Sequence, residues 1–302
     1  MTPGRLQHLS PVSKMILLLV MMLAAMLLVS LFANLLGYLL YGGVEFNPEL
    51  LMSDTRTVKL LQLFQSLFVF VLPSAIAAHL FSPTPFKELY GSSRIRINIL
   101  LISAFSILIS QYFIVWTGEV NSRLVLSDGW VRLSEWIVHS EEEAKKLVTM
   151  LTVSNHGLGF LVNVVLLALL PAIGEEWLFR GHLQKYFAGW TKNIHVAVFI
   201  TSLLFAAMHL QFMTFLPRFF LGMILGYLFY YGGNLWYSIT GHFTNNFLAL
   251  LFMHHANNAQ SVVTNQTELQ QGISFSVGVA LSGLAVIALL YLLRIVKTRT
   301  PE

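Results

Sequence analysis

The 302-residue sequence contains no cysteine. That excludes a disulfide framework, thiol catalysis and a thiolate metal site. Charge is scarce as well: Asp, Glu, Lys and Arg make up 11% of the chain, against roughly 25% in soluble domains. So few charges cannot cover a water-exposed surface. What is abundant is apolar, with 56% hydrophobic residues and a mean hydropathy of +0.70. Such a composition describes an integral membrane protein whose first partner is the lipid bilayer. The excess of 18 Lys and Arg over 14 Asp and Glu then speaks of topology, and no nucleic-acid partner is expected.

A transmembrane helix takes about 20 largely apolar residues. Eight stretches read as spans: 15–41, 58–81, 97–117, 157–178, 194–212, 215–232, 235–254 and 273–293. The expected fold class is therefore all-α, a polytopic membrane protein of about eight transmembrane helices. The first apolar run far exceeds a signal-peptide core of 7–15 residues and is read as a helix. With both termini cytoplasmic, 11 Lys and Arg fall on inner segments and 7 on outer ones, in the sense of the positive-inside rule. Within the outer segment 119–155, Trp130, Leu133, Trp136 and Ile137 recur at helical spacing. They suggest an interfacial helix or, equally, a solvated helical loop. Segment 255–272 reads as a polar outer loop with a glycosylation-type triplet at Asn265. Pro73 and Pro171 are expected to kink their helices. No internal repeat is evident.

Ionisable groups inside spans are costly and mark function by default. Three stretches hold them: GEEWLFRGH at the end of the fourth span, LLFAAMHLQF in the fifth and SITGHFTNNF in the seventh. Glu176 and Arg180 stand four apart, share a helix face and can pair. Glu175 points elsewhere with no arginine one turn away. Burial disfavours the charged form of such a lone carboxylate, which suits a general base. His242 and Asn246 also stand four apart and project from one face, and Phe205 lies one turn from His209. Measured from the turn near Trp190–Lys192, Glu175 and His209 lie at about the same level. His242 and Asn246 match that level if this hairpin reaches further into the cytoplasm. A carboxylate and histidine that hold a water, facing a histidine and asparagine that donate hydrogen bonds, suit amide hydrolysis. Any one of these residues alone is more often a helix–helix hydrogen bond; their coincidence on three helices points to a site. His182 reads as interfacial, His79 as snorkelling, and His254 and His255 as loop residues.

In this order the residues resemble the CPBP family of membrane proteins, the type II CAAX prenyl endopeptidase and bacteriocin-processing (Abi) family. EExxxR appears as Glu175, Glu176 and Arg180, FxxxH as Phe205 and His209, and HxxxN as His242 and Asn246. The resemblance covers about residues 155–255. It implies an intramembrane endopeptidase of the glutamate-dependent type, with Glu175 and His209 activating water and His242 and Asn246 forming an oxyanion hole. Glu176, Arg180 and Phe205 would support them. No cofactor is required on that reading; the alternative is a zinc site built from Glu175, His209 and His242. The chain then divides into three N-terminal spans (1–118), an outer insertion (119–155), a four-helix catalytic core (156–256), and an outer loop, last span and basic tail (257–302).

The substrate implied is a membrane-associated protein or peptide, processed at a CAAX-like terminus or a leader peptide. The expected location is a bacterial inner (cytoplasmic) membrane. A non-enzymatic partner in bacteriocin immunity or sensor regulation is the alternative function. A proton-coupled transporter is a third, disfavoured by the missing repeats.

Overall fold

The computed structural model describes residues 3–41, 54–91, 94–124, 130–152, 157–258 and 273–298. Among them are ten α-helices and no strand: α1 (Pro11–Tyr41), α2 (Thr55–Phe81), α3 (Pro85–Tyr90), α4 (Ile97–Ser122), α5 (Val131–Thr152), α6 (Gly157–Thr191), α7 (Ile194–Ala207), α8 (Phe215–Gly232), α9 (Leu235–Asn258) and α10 (Ile273–Thr298). The chain is an all-α polytopic membrane protein.

Six of these helices are long and apolar enough to cross a membrane: α1, α2, α4, α6, the segment Phe212–Gly232 that contains α8, and α10. The other two expected spans take different forms. α7 has only 14 residues, because the chain leaves the helix after Ala207 and Leu210 adopts a left-handed φ of 52°. α9 has 24 residues and is long enough, but Ser238, Thr240, His242, Thr244, Asn245 and Asn246 dilute its apolar character. His254 and His255 belong to α9 and not to a loop, since the helix runs on to Asn258. The triplet at Asn265 lies outside the described residues.

Local chemistry explains the breaks. Asp54 caps α2, its carboxylate accepting from Thr57 Oγ1 at 2.7 Å and Thr57 N at 3.0 Å. Those bonds, the hydroxyl's first, hold the carboxyl below its ordinary value. Lys192 at φ 55° ends α6, and Asn193 caps α7 by accepting from the amides of His195 and Val196. Both prolines follow π-helical turns, Ser66–Val71 before Pro73 and Val164–Leu169 before Pro171. A proline ring excludes the carbonyl four residues back, and the wider turn accommodates it within a continuous helix.

Two apolar cores flank the site. One joins α1, α2 and α6 through Leu18, Ala77, Phe179 and Leu183, and also takes in Phe205 of α7. The other joins α4, α8, α9 and α10 through Ile107, Leu225, Leu228, Tyr237 and Leu293. Buried serines on α4 are tolerated because they bond back to their own helix, as Ser103 Oγ does to Ile99 O at 2.8 Å. Close approach needs small residues. A Cβ on Gly174 would stand 2.9 Å from Phe70 Cβ, and one on Gly222 would stand 3.0 Å from Ser202 Cβ.

Candidate active site

The glutamate pair ends a regular α-helical stretch of α6, Leu170–Glu176, and a second π-helical turn, Trp177–Leu183, follows it. Glu176 and Arg180 are both fully buried and pair at 2.6 Å. The guanidinium also donates through Nη2 to Gly222 O of α8 at 2.8 Å. One turn on, Gln184 Nε2 donates to Gly226 O at 3.0 Å. Two side chains four apart on α6 thus serve two carbonyls four apart on α8, and glycine at each site lets the helices meet.

Glu176 Oε1 takes a second bond, from His242 Nδ1 at 2.9 Å. A carboxylate only accepts, so Nδ1 carries the hydrogen. The other ring nitrogen, Nε2, then faces Glu175, whose Oε2 lies 3.9 Å away, beyond hydrogen-bond reach. Glu175 Oε2 is buried and has no hydrogen-bond partner among the described residues. The pairing expected from spacing is what the geometry holds: Arg180 engages Glu176, and Glu175 is left over.

His209 lies just past the end of α7, in a turn rather than on the helix. Its Nδ1 contacts Phe205 O at 2.8 Å. A carbonyl can only accept, so this nitrogen too is the protonated one. The neutral ring therefore presents an Nε2 lone pair, able to accept a hydrogen from water. Phe205 does more than pack beside His209. Its buried ring meets His209 edge-on at 5.1 Å and His242 at 5.6 Å, and Arg180 lies over it at 5.0 Å.

Six of the seven expected residues are therefore gathered between α6, α7 and α9. Asn246 is one turn beyond His242 and half-buried; its side-chain oxygen accepts from Asn245 Nδ2 at 3.3 Å. No hydrogen bond joins it to the other six among the described residues.

Residues 157–248 match the family model described as Type II CAAX prenyl endopeptidase Rce1-like. The chain carries an Rce1-like domain. It occupies less than a third of the sequence and contains all seven residues above. Among curated proteins, an uncharacterized protein of Bacillus subtilis (strain 168), YpbD, is 34% identical over 85 residues. That alignment covers 27% of this chain and 40% of YpbD, so the chain spans well under half of that relative. No solved structure matches.

Two expectations about the Rce1-like domain change. His182 is not interfacial but fully buried, with Nε2 at 2.9 Å from Ser74 O and Nδ1 at 3.0 Å from Tyr186 Oη. The zinc alternative does not fit the donor geometry. Among the described residues, no three or more His, Asp or Glu are grouped to hold a metal ion. Glu175 Oε2 and His242 Nε2 face each other at 3.9 Å, and Phe205 packs between the rings of His209 and His242. What sequence reasoning missed is the acceptor for Arg180, the Gly222 carbonyl. The signal was the spacing Gly222–Gly226, which repeats that of Arg180–Gln184.

Proposed function

We propose that this chain is an intramembrane endopeptidase that hydrolyses a peptide bond in a membrane-associated protein or peptide. The observation that carries the reading is the buried Glu175 Oε2, without a hydrogen-bond partner among the described residues, beside a histidine whose other nitrogen is engaged by Glu176. The two carboxylates have different tasks. Glu176 neutralises Arg180 and orients His242, and Glu175 acts on water.

In the reaction, water sits between Glu175 and His209 Nε2. Glu175 takes a proton as the water oxygen attacks the carbonyl carbon, and a tetrahedral oxyanion forms. The proton on Glu175 passes to the amide nitrogen, the C–N bond breaks, and an acid and an amine leave. His242 Nε2 can donate to the oxyanion only when the ring carries both protons, since Nδ1–H is committed to Glu176. Asn246 supplies a second donor through Nδ2. Removing one such donor typically costs 10²–10³-fold in turnover, and removing a general base about 10²–10⁴-fold.

The substrate class that suits this arrangement is a CAAX-like terminus or a leader peptide reached from the membrane. α7 and α9 complete eight crossings, both termini face the cytoplasm, and the membrane is a bacterial inner one. Residues 156–256 form the catalytic core, with 1–118, 119–155 and 257–302 as its surroundings.

The test is a survey of protein termini in membrane fractions by mass spectrometry. Cells carrying the wild-type chain are compared with cells carrying Glu175→Gln at matched expression. A new terminus present only with wild type is the expected result, and its sequence names the substrate. The same termini in both would sink the hydrolytic reading in favour of a binding role.

A further inference from the structure

The connector that leaves α7 at His209 and enters α8 is short and strained, with Leu210 at φ 52°, a region costly for a side chain of that kind. Three of its contacts come from outside the Rce1-like segment. Asn121, buried at the outer end of α4, donates through Nδ2 to Phe212 O at 2.7 Å. It accepts through Oδ1 from Leu216 N at 2.8 Å. Glu141, half-way along α5, accepts through Oε1 from Met213 N at 2.8 Å. From within α8, Arg218 donates to Gln211 Oε1 and Thr214 Oγ1. Two elements far away in sequence thus hold three backbone groups within five residues.

His209 is tied to α7 by its Nδ1 bond to Phe205 O and by backbone bonds from Met208 N to Leu204 O at 2.9 Å and from Leu210 N to Ala207 O at 3.1 Å. Those bonds fix the segment from the α7 side, and the contacts to Phe212, Met213 and Leu216 fix it from the other. We propose that Asn121 and Glu141 are positioning residues for His209. They clamp the 210–216 connector so that the Nε2 lone pair is held toward Glu175. The outer insertion 119–155 is then part of the working unit and not an ornament on it. The proposal rests on the water-activating part assigned to His209, but the position of that residue is measurable without turnover.

Full-length protein in detergent micelles is treated with diethyl pyrocarbonate, and carbethoxylation is read at each histidine by mass spectrometry. Exposed His195, bonded to Tyr227, serves as the internal reference. Amide hydrogen exchange is followed over 208–216 in the same samples. Glu141→Ala and Asn121→Ala are each expected to raise His209 reactivity and connector exchange by about fivefold, the scale of one lost hydrogen bond. Glu141→Gln keeps an oxygen acceptor for Met213 N and is expected to behave as wild type. Glu141 is only partly buried, so its variants fold even where Asn121→Ala does not. A lower unfolding temperature with unchanged His209 reactivity and exchange would mean a purely structural tie, and it overturns the proposal. So does a Glu141→Gln protein as loose as Glu141→Ala. If Glu175→Gln removes the new terminus while the clamp variants leave His209 unmoved, the clamp fails and the hydrolytic reading stands. If the clamp variants move His209 while Glu175→Gln keeps the terminus, the reverse holds.

Discussion

Arg180 is the residue on which the buried charges depend. It is fully buried, pairs with Glu176 and donates to Gly222 O. Taking away one member of a buried pair leaves the other uncompensated, which costs about 3–5 kcal/mol. Arg180→Met is therefore expected to lower stability by that amount, read as a drop in thermal midpoint in detergent. A midpoint within a degree of wild type would mean that Glu176 is not relying on this cation. Glu175→Gln should behave in the opposite way, with an unchanged midpoint, because Oε2 makes no hydrogen bond among the described residues. The pairing of Arg180 with Glu176 was legible in sequence, because i,i+4 spacing alone told Glu176 from Glu175. The placement of His209 was not. FxxxH reads as one helical turn, and nothing in it announces that the helix ends at Ala207. The tautomers of His209 and His242 were also out of reach, since they follow from which oxygen each Nδ1 meets.

At the scale of elements, small residues decide how closely the site helices approach. Gly222 lies against Ser202, and a methyl group there would push α7 from α8. Gly222→Ala is expected to cost about 1–3 kcal/mol, the usual range for overpacking, and to loosen the bond from Arg180 to the Gly222 carbonyl. A fully wild-type unfolding profile would contradict that close approach. Helix existence was well marked by apolar runs, and Pro73 and Pro171 marked where two helices depart from regular α geometry. The π-helical turns before them were not, because proline signals a missing hydrogen bond without saying how the helix absorbs it. α9 shows the limit of hydropathy from the other direction. The polar residues that make it a site helix also lower its score as a span. α5 was legible as a helix from Trp130, Leu133, Trp136 and Ile137. Its packing was only partly so: Ile137 is buried while both tryptophans stay exposed.

For the whole molecule, the absence of cysteine becomes an advantage. A single introduced thiol has no competitor, so topology can be read directly. Lys192→Cys, at the turn between α6 and α7, and Ser122→Cys, at the far end of α4, are expected to react with an impermeant maleimide from opposite sides of the membrane. Labelling of both from one side would rule out the proposed crossings. The all-α membrane class was readable because a chain with so little charge has few options besides a helical bundle. Which helices touch was not readable, because lipid-facing and protein-facing surfaces are both apolar.

The bond from Arg180 to the Gly222 carbonyl has a mechanical consequence. α6, α8 and α9 share one buried cation through Glu176, His242 and that carbonyl. Sliding any one of the three past the others would strand a charge in a medium that cannot solvate it. The three helices therefore behave as a single stiff block, like a keystone and its neighbours. On the proposed function, room for a polypeptide has to be made at the edges of that block, by the parts of the bundle that carry no share of the charge.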